Sequence, residues 1–186
     1  MESFEIEKEV EERVSQILQE LTKEPLYEVL SYAIRGEEEA VELYTFLSKR
    51  LEEPHAKKRF EEFIMAEKGH KEKIIRIFNE LFPDKEPGKI KAETWIGIAT
   101  KGKPAIKTAK SYLDILKIAV ESEKLAESIY NFIGRNIPDE QYKAIFFELA
   151  MDEKRHYDFV KSQYLFYKRA KAEESVHDMI NDLLQK

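Results

Sequence analysis

The sequence contains no cysteine among its 186 residues. This absence excludes disulfides, thiolate zinc sites, iron–sulfur clusters and cysteine nucleophiles. A basic excess is also absent, because 37 Asp and Glu outnumber 31 Lys and Arg and the net charge is −6; a general nucleic-acid-binding protein would carry the opposite sign. No apolar run approaches the roughly 18 residues that a membrane span requires, and residues 1–13 lack the apolar core of a signal peptide. We therefore expect a soluble cytoplasmic protein that binds neither nucleic acid nor membrane.

What the sequence does have is helical periodicity. Apolar residues recur at steps of three and four along four long segments, which predicts four long amphipathic helices. We place these helices at residues 25–51, 54–81, 112–135 and 138–169, with shorter helices at 4–21 and around 176–183.

The connections between these segments predict the topology. Two short connections join the long helices into two antiparallel hairpins, and a broken stretch at 82–111 links the hairpins. Such a stretch is long enough to cross a bundle, as the single crossover of ferritin-like four-helix bundles does. We therefore predict one all-α domain over 1–186: an N-terminal accessory helix at 1–23, the bundle and its crossover at 24–170, and a C-terminal accessory helix at 171–186. The accessory helices are expected to cover the bundle or to mediate assembly.

A repeat of chemically important residues runs through the two hairpins. The first set is Glu37, Tyr44, Glu67 and His70. Each member has a counterpart 86 positions later, in Glu123, Tyr130, Glu153 and His156. With 4 His and 9 Tyr in the chain, composition alone gives such a repeat roughly a few chances in a thousand.

The repeated acidic residues and histidines lie in the middle of otherwise apolar helix faces. Folding would therefore bury four carboxylates at one level, where the stripes hold no Lys or Arg, and unpaired buried carboxylates are very costly. Two divalent cations would balance the charge, so the pattern predicts that metal is required and not merely tolerated. Four carboxylates and two imidazoles from Glu-x-x-His pairs are the ligand set of a two-metal site in a bundle. This oxygen-rich set favours iron or manganese, with zinc as a further occupant.

Other polar residues near these faces have simpler interpretations. Tyr44 and Tyr130 are expected to hydrogen-bond ligand carboxylates on neighbouring helices, the alternative being core aromatics. Trp95 and Ile96 are expected to pack on the bundle. The following residues are expected to be solvated or to lack a ligand role: Glu38, Glu39, Glu121, Glu127, His55 and His177.

The repeated segments carry a family resemblance. They read GEEEAVELY and AEKGH in the first half, and ESEKLAESIY and DEKRH in the second. Over residues 25–169 the chain resembles the rubrerythrin-type branch of the ferritin-like di-iron proteins. The resemblance implies that the six repeated Glu and His residues bind two iron ions and that the two tyrosines support the carboxylates. It also implies reduction of hydrogen peroxide to water by a homodimer, in some relatives with helices exchanged between subunits.

The chain departs from that family pattern in two ways. The rubredoxin-like centre held by four cysteines is absent, so electrons would come from a separate donor such as a rubredoxin. Ala126 stands where such proteins carry an extra ligand Glu, and its counterpart is Ala40. Ferroxidase activity for iron handling, oxygen activation on an organic substrate and a purely structural bundle therefore stay open as alternatives. The lysines of the crossover predict either a docking surface for an acidic donor or a solvated connection.

Overall fold

The computed structural model of the protein describes residues 8–49, 54–88, 93–99 and 112–184. Within these ranges there is no strand, and six helices follow one another: α1 Lys8–Leu21, α2 Leu26–Ser48, α3 Pro54–Leu81, α4 Trp95–Ala99, α5 Tyr112–Asn136 and α6 Glu140–Leu184. The predicted all-α, ferritin-like bundle is confirmed. No helix in this described part combines the length and the apolar character needed to cross a membrane.

Local sequence signals set the beginnings of the long helices. Pro25, with φ −65°, immediately precedes α2, and Pro54 opens α3; proline suits both places because its fixed φ fits a helix start. Before α6, the carboxylate of Asp139 accepts hydrogen bonds from the backbone N–H groups of Gln141 (2.8 Å) and Tyr142 (3.4 Å). This is the N-cap arrangement that satisfies the free donors of the first turn.

The four long helices form two hairpins that pack face to face. Helices α2 and α3 form the first hairpin, and α5 and α6 form the second. Helix α2 also contacts α5, and α3 also contacts α6. Between the hairpins lie large side chains with no exposed surface, including Phe60, Phe78, Leu116, Phe146 and Val160. The bundle is thus closed around one apolar core.

The crossover contributes a short buried helix. In α4, Trp95 is 1% exposed and Ile96 is 7% exposed, which confirms that this part of the crossover packs on the bundle. Helix α4 contacts α1, α2 and α5. The lysines considered as a donor-docking surface fall outside the described residues: Lys89, Lys91, Lys101, Lys103, Lys107 and Lys110.

Helix α1 covers the bundle. Its buried face carries Val14, Ile17 and Leu21, and it packs against α4 and α5. The predicted helix began at residue 4, and residues 1–7 lie outside the described part. Of the two roles expected for an accessory helix, α1 therefore has the covering role.

The end of the chain differs from the prediction. Helix α6 is continuous from Glu140 to Leu184, so the predicted separation between a bundle helix ending at 169 and a C-terminal helix beginning at 171 is wrong. The apolar stripe lapses near residue 170, but residues 168–175 contain neither Gly nor Pro and are mostly strong helix formers. A helix that loses its apolar face no longer packs against a neighbour, but the helix itself can continue.

Candidate metal centre

The six repeated Glu and His side chains meet in the middle of the bundle. We call them the ligand cluster: Glu37 from α2, Glu67 and His70 from α3, Glu123 from α5, and Glu153 and His156 from α6. Each is at most 8% exposed. A single chain supplies all six, because both hairpins close over the same point.

The ligand cluster divides into two overlapping groups. Glu37, Glu67, His70 and Glu153 offer ligand atoms within 4.8 Å of one another, and so do Glu67, Glu123, Glu153 and His156. Glu67 and Glu153 belong to both groups, so their carboxylates could bridge two ions. Each group also has one isolated glutamate and one imidazole of its own.

Both imidazoles turn Nδ1 towards the carboxylates. Nδ1 of His70 lies 2.8 Å from Glu153 Oε1 and 3.1 Å from Glu67 Oε2. Nδ1 of His156 lies 3.2 Å from Glu67 Oε1 and 3.5 Å from Glu123 Oε2. The rings stack at a centroid separation of 6.0 Å. Because Glu-x-x-His places both ligands on one helix face, each Glu-x-x-His helix presents a carboxylate and an imidazole together.

The pKa values of the cluster's carboxyls shift in two directions. Burial and the charges of Glu67 and Glu153 raise the pKa of Glu37 well above its usual range. Burial and the charge of Glu153 do the same to the pKa of Glu123. Burial also opposes ionisation of Glu67 and Glu153, but the nearby imidazoles of His70 and His156 outweigh it and lower the pKa of both carboxyls. The pKa values of Glu37 and Glu123 are therefore shifted upwards, and those of Glu67 and Glu153 downwards.

The pKa values of both imidazoles are raised. Burial alone would lower the pKa of His70, yet hydrogen bonds and charges from Glu153 and Glu67 raise it to about 10. The pKa of His156 is likewise raised, with Glu123 as the main cause after the opposing effect of burial. Each imidazole is thus drawn towards its charged form by the carboxylates around it. That the four buried carboxylates require metal stays a prediction.

Orphaned oxygens show that the cluster nevertheless fits metal ions. In the described part of the chain, neither oxygen of Glu37 has a hydrogen-bond partner, nor does Oε2 of Glu123. Buried polar atoms without partners are rare in native proteins and point to an unfilled role. Oxygen-rich groups with one nitrogen each suit iron or manganese, so the side chains present are a coherent ligand set for two such ions.

The two repeated tyrosines differ in their contacts. The Tyr44 hydroxyl donates a hydrogen bond to Oε1 of Glu123, reaching from α2 to α5. The Tyr130 hydroxyl, fully buried, makes no hydrogen bond to any described residue. Its ring packs near Trp95 (5.9 Å between centroids) and Phe146 (6.0 Å). The repeat therefore preserves the residue type without preserving the hydrogen bond.

Asp152 is a neighbour of the cluster that the repeat did not identify. Its Oδ2 lies 3.6 Å from Nε2 of His70, slightly too long for a direct hydrogen bond. Its other oxygen pairs with Arg155 at 2.5 Å. Metal-binding histidines commonly face a carboxylate with the nitrogen that does not bind metal. The counterpart of Asp152 in the first hairpin is Ala66, and this difference immediately before the two Glu-x-x-His motifs was the available sequence signal.

Gly36 was also missed, although it immediately precedes Glu37. A Cβ atom at Gly36 would lie 2.0 Å from the Trp95 ring, so only glycine lets the indole rest on α2 at this level. Trp95 packs in turn against Tyr32, with 5.8 Å between ring centroids. The crossover thereby packs on α2 at the residue that precedes Glu37. The contact joins positions far apart in sequence, so no local sequence pattern predicts it.

Among the acidic residues expected to be solvated, Glu121 is a correction. It is 2% exposed, with Lys117 Nζ 4.0 Å from its Oε1. Helices α1 and α4 both pack on α5, so the surroundings of this helix extend beyond the four long helices. Glu38, Glu39 and Glu127 are partly exposed and each forms an ion pair with a nearby Lys or Arg. His55 and His177 are exposed, as expected.

Comparison with known proteins agrees with this site. The family model for rubrerythrin matches residues 28–161 and, in a second match, residues 114–181. A solved structure of a hypothetical protein from Pyrococcus furiosus is similar in fold, with a TM-score of 0.63 and 21% identity over 79% of this chain and 92% of that one. No curated protein matches significantly. The family match spans both hairpins and every residue of the ligand cluster, and the chain belongs to the rubrerythrin family.

Proposed function

We propose that this protein is a di-iron oxidoreductase that reduces hydrogen peroxide to water with electrons from a separate donor protein. The observation that carries the proposal is the pair of overlapping ligand groups that share Glu67 and Glu153. Shared carboxylates would hold two metal ions next to one another, and such a pair would supply two-electron chemistry to one small substrate.

Each residue of the cluster has a distinct role in this proposal. Glu67 and Glu153 would be ligands shared by the two ions. Glu37 and Glu123 would each be a carboxylate ligand of one ion only. His70 and His156 would each give one position its nitrogen ligand through Nδ1. When bound, a ferrous pair supplies two electrons, which with two protons convert one peroxide into two water molecules.

The burial of the site favours a small oxidant. The ligand side chains are at most 8% exposed, and Trp95 packs on α2 at Gly36, the residue before Glu37. Hydrogen peroxide or oxygen can enter such a closed site more readily than an organic substrate, which would need a formed apolar cavity. This supports peroxide reduction or ferroxidase chemistry over oxygenation of an organic molecule.

Electrons must return to the metal pair after each turnover. The 186 residues contain no cysteine, so none of them can hold the thiolate iron centre that would deliver electrons from within. We therefore propose a separate one-electron donor of the rubredoxin type.

Anaerobic loading with ferrous iron, followed by stopped-flow mixing, tests the proposal. We expect oxidation by hydrogen peroxide to be much faster than oxidation by dissolved oxygen at equal concentration. Glu67→Gln should lose this reaction, whereas Glu61→Gln, an exposed residue of the same helix, should retain it. Faster oxidation by oxygen, with release of ferric iron, would overturn the peroxidase assignment in favour of iron handling.

A further inference from the structure

The ligand cluster comes closest to solvent on one side of the bundle. Helix α4 contacts α2 and α5, and α1 contacts α5, so both of these helices lie on the α2–α5 side. The two histidines come from α3 and α6, which meet on the opposite side. His156 is 8% exposed, whereas the other five members of the cluster are 1–3% exposed. The thinnest layer of protein over the cluster is therefore the one at His156.

Two phenylalanine rings form that layer. Phe63 of α3 lies on the imidazole of His156, with 4.3 Å between ring centroids and 39° between the planes. Phe159 of α6 stands perpendicular to Phe63, with 5.6 Å between centroids, a favourable arrangement for aromatic rings. Phe63 is 1% exposed and Phe159 is partly exposed. Phe63 is thus the inner ring and Phe159 the outer ring.

Arg59 joins the two rings at the surface. Its guanidinium carbon lies 4.9 Å from the ring centroid of Phe159 and 5.5 Å from that of Phe63, and a cation over an aromatic face is attracted to it. Nη1 of Arg59 also lies 2.6 Å from Oε2 of Glu62, which restricts the guanidinium to this position. We call Arg59, Phe63 and Phe159 the aromatic cover.

The aromatic cover lies outside the sequence repeat. The residues 86 positions away from its three members are Ile145, Leu149 and Lys73, so none of the three counterparts is aromatic or arginine. His70 instead has a carboxylate oxygen 3.6 Å from its Nε2. The cover is therefore a feature of the His156 side alone, and the symmetry of the ligands does not account for it.

The ligand oxygens themselves are out of reach of solvent. Both carboxylate oxygens of Glu37 are buried, and so are Oε1 of Glu67, Oε1 of Glu153 and Oε2 of Glu123. Metal ions and oxidants can therefore reach them only when side chains move. Rotation of the outer ring breaks no backbone hydrogen bond, and side-chain rotations are much faster than movements of helices.

We propose that the aromatic cover is the gate through which metal ions and the small oxidant reach the ligand cluster. Phe159 opens the path by rotating away from Phe63, and Arg59 favours the closed arrangement. The inference rests on the metal centre of the proposed function, and it holds for either peroxide or oxygen as the oxidant. A gate sets how often the path is open, so it scales metal uptake and release by one factor and leaves the equilibrium affinity unchanged.

Anaerobic mixing with ferrous iron tests the gate without any oxidant. Excess 2,2′-bipyridine added at increasing times captures the iron not yet bound and gives the rate of uptake, and bipyridine added to the loaded protein gives the rate of release. Phe159→Ala should raise both rates at least about 5-fold, because it removes an aromatic pair and a cation–π contact that favour the closed path. The dissociation constant from an equilibrium titration should not change.

Two further variants accompany this measurement. Arg59→Ala removes an exposed side chain without opening the core and should raise both rates about 2- to 5-fold. Phe132→Ala is the matched control, because Phe132 is also a partly exposed phenylalanine but lies near the end of α5; it should change neither rate. Circular dichroism checks that each variant is folded.

The outcomes separate the gate from the metal centre. Wild-type rates in Phe159→Ala would overturn the gate and leave the metal centre standing. A weaker affinity with an unchanged rate of uptake would also overturn it, because the ring would then position His156 and would not control access. A wild type that binds no ferrous iron would overturn the metal centre itself, and the gate with it.

Discussion

The first and second hairpins contribute the same ligands and support them with different residues. Each provides one isolated glutamate and one Glu-x-x-His pair. The first hairpin adds Tyr44, whose hydroxyl binds Glu123 of the second. The second hairpin adds Asp152, whose carboxylate faces His70 of the first. Neither support has a working counterpart, because Tyr130 lacks a hydrogen bond in the described part of the chain and position 66 is alanine.

The two hairpins therefore supply equivalent ligand residues. The group that supports a ligand of one hairpin, however, comes from the other hairpin. Ligand number and type are dictated by the metal pair, so both hairpins must keep them. Supporting groups only orient ligands, so one per hairpin can suffice. Because each hairpin orients a ligand of the other, we expect two non-equivalent metal positions that form only when the hairpins are docked.

The largest expected effect comes from the shared glutamates. Glu67→Gln and Glu153→Gln each remove a carboxylate from both ligand groups, so either should reduce bound metal from two ions to fewer than one per chain. Glu37→Gln should abolish metal binding at only one of the two positions, because Glu37 belongs to only one ligand group. Metal content after dialysis and an anaerobic titration would measure this, with circular dichroism to check folding. Equal losses of bound metal in Glu37→Gln and Glu67→Gln would contradict the distinction between shared and unshared ligands.

The packing of Trp95 on the first hairpin should be sensitive to one added methyl group. Gly36→Ala would force a Cβ into the Trp95 ring, and overpacking of this kind costs about 1–3 kcal/mol. Gly69→Ala is the matched control, since its Cβ would meet no atom within 4 Å, and alanine there should be neutral or stabilising. Chemical denaturation of the metal-free proteins would give both free energies of unfolding. A neutral Gly36→Ala would contradict the close contact.

The protonation of the two imidazoles gives a pH dependence. The pKa of His70 rises from an ordinary 6.5 to about 10 on folding, so its stabilising contribution is complete below pH 6.5 and is lost as the pH rises towards 10. Even one pKa unit corresponds to about 1.4 kcal/mol, so between pH 6 and pH 9 the Tm of the metal-free protein should fall by at least about 3 °C.

Bound metal should oppose this trend, because metal requires neutral imidazoles and its competition with protons eases as the pH rises. The Tm difference between the manganese-loaded and metal-free proteins should therefore widen from pH 6 to pH 9 in calorimetry. A metal-free Tm that rises over this range would contradict the imidazolium–carboxylate pairing.

The tyrosines give a direct contrast between the hairpins. Tyr44→Phe removes the hydrogen bond to Glu123 and should weaken binding at one metal position by about 10-fold, the lower end for supporting residues. Tyr130→Phe removes a hydroxyl without a partner among the described residues and should leave affinity nearly unchanged. Two-site fits to calorimetric titrations would separate them, and equal effects would show that metal binding restores the symmetry.

The smallest effect is expected at Asp152. At 3.6 Å its carboxylate orients His70 weakly, so Asp152→Ala should reduce affinity only a few-fold, below the usual range for a direct contact. Ala66→Asp would place a carboxylate at the equivalent position in the first hairpin and should reduce the difference between the two metal affinities. A change of 100-fold or more for Asp152→Ala would show that the contact is direct in the metal-bound protein.

The sequence predicted the site better than it predicted the surroundings of the site. Glu67 and His70 share a helix face through a local periodicity, so their spacing revealed them. The contact of Gly36 with Trp95 depends on how the crossover packs on the bundle, and the burial of Glu121 depends on its tertiary surroundings; no local pattern encodes either. The continuity of α6 was missed because an apolar stripe reports what a helix packs against, whereas the absence of Gly and Pro decides whether the helix continues.

An anaerobic titration of the metal-free protein with ferrous iron tests the central claim most directly. The account predicts two ferrous ions per chain, with the second lost in Glu37→Gln and both lost in Glu67→Gln. Saturation at one ion per chain, or two ions retained after the Glu67 substitution, would contradict a pair of metal positions joined by shared carboxylates.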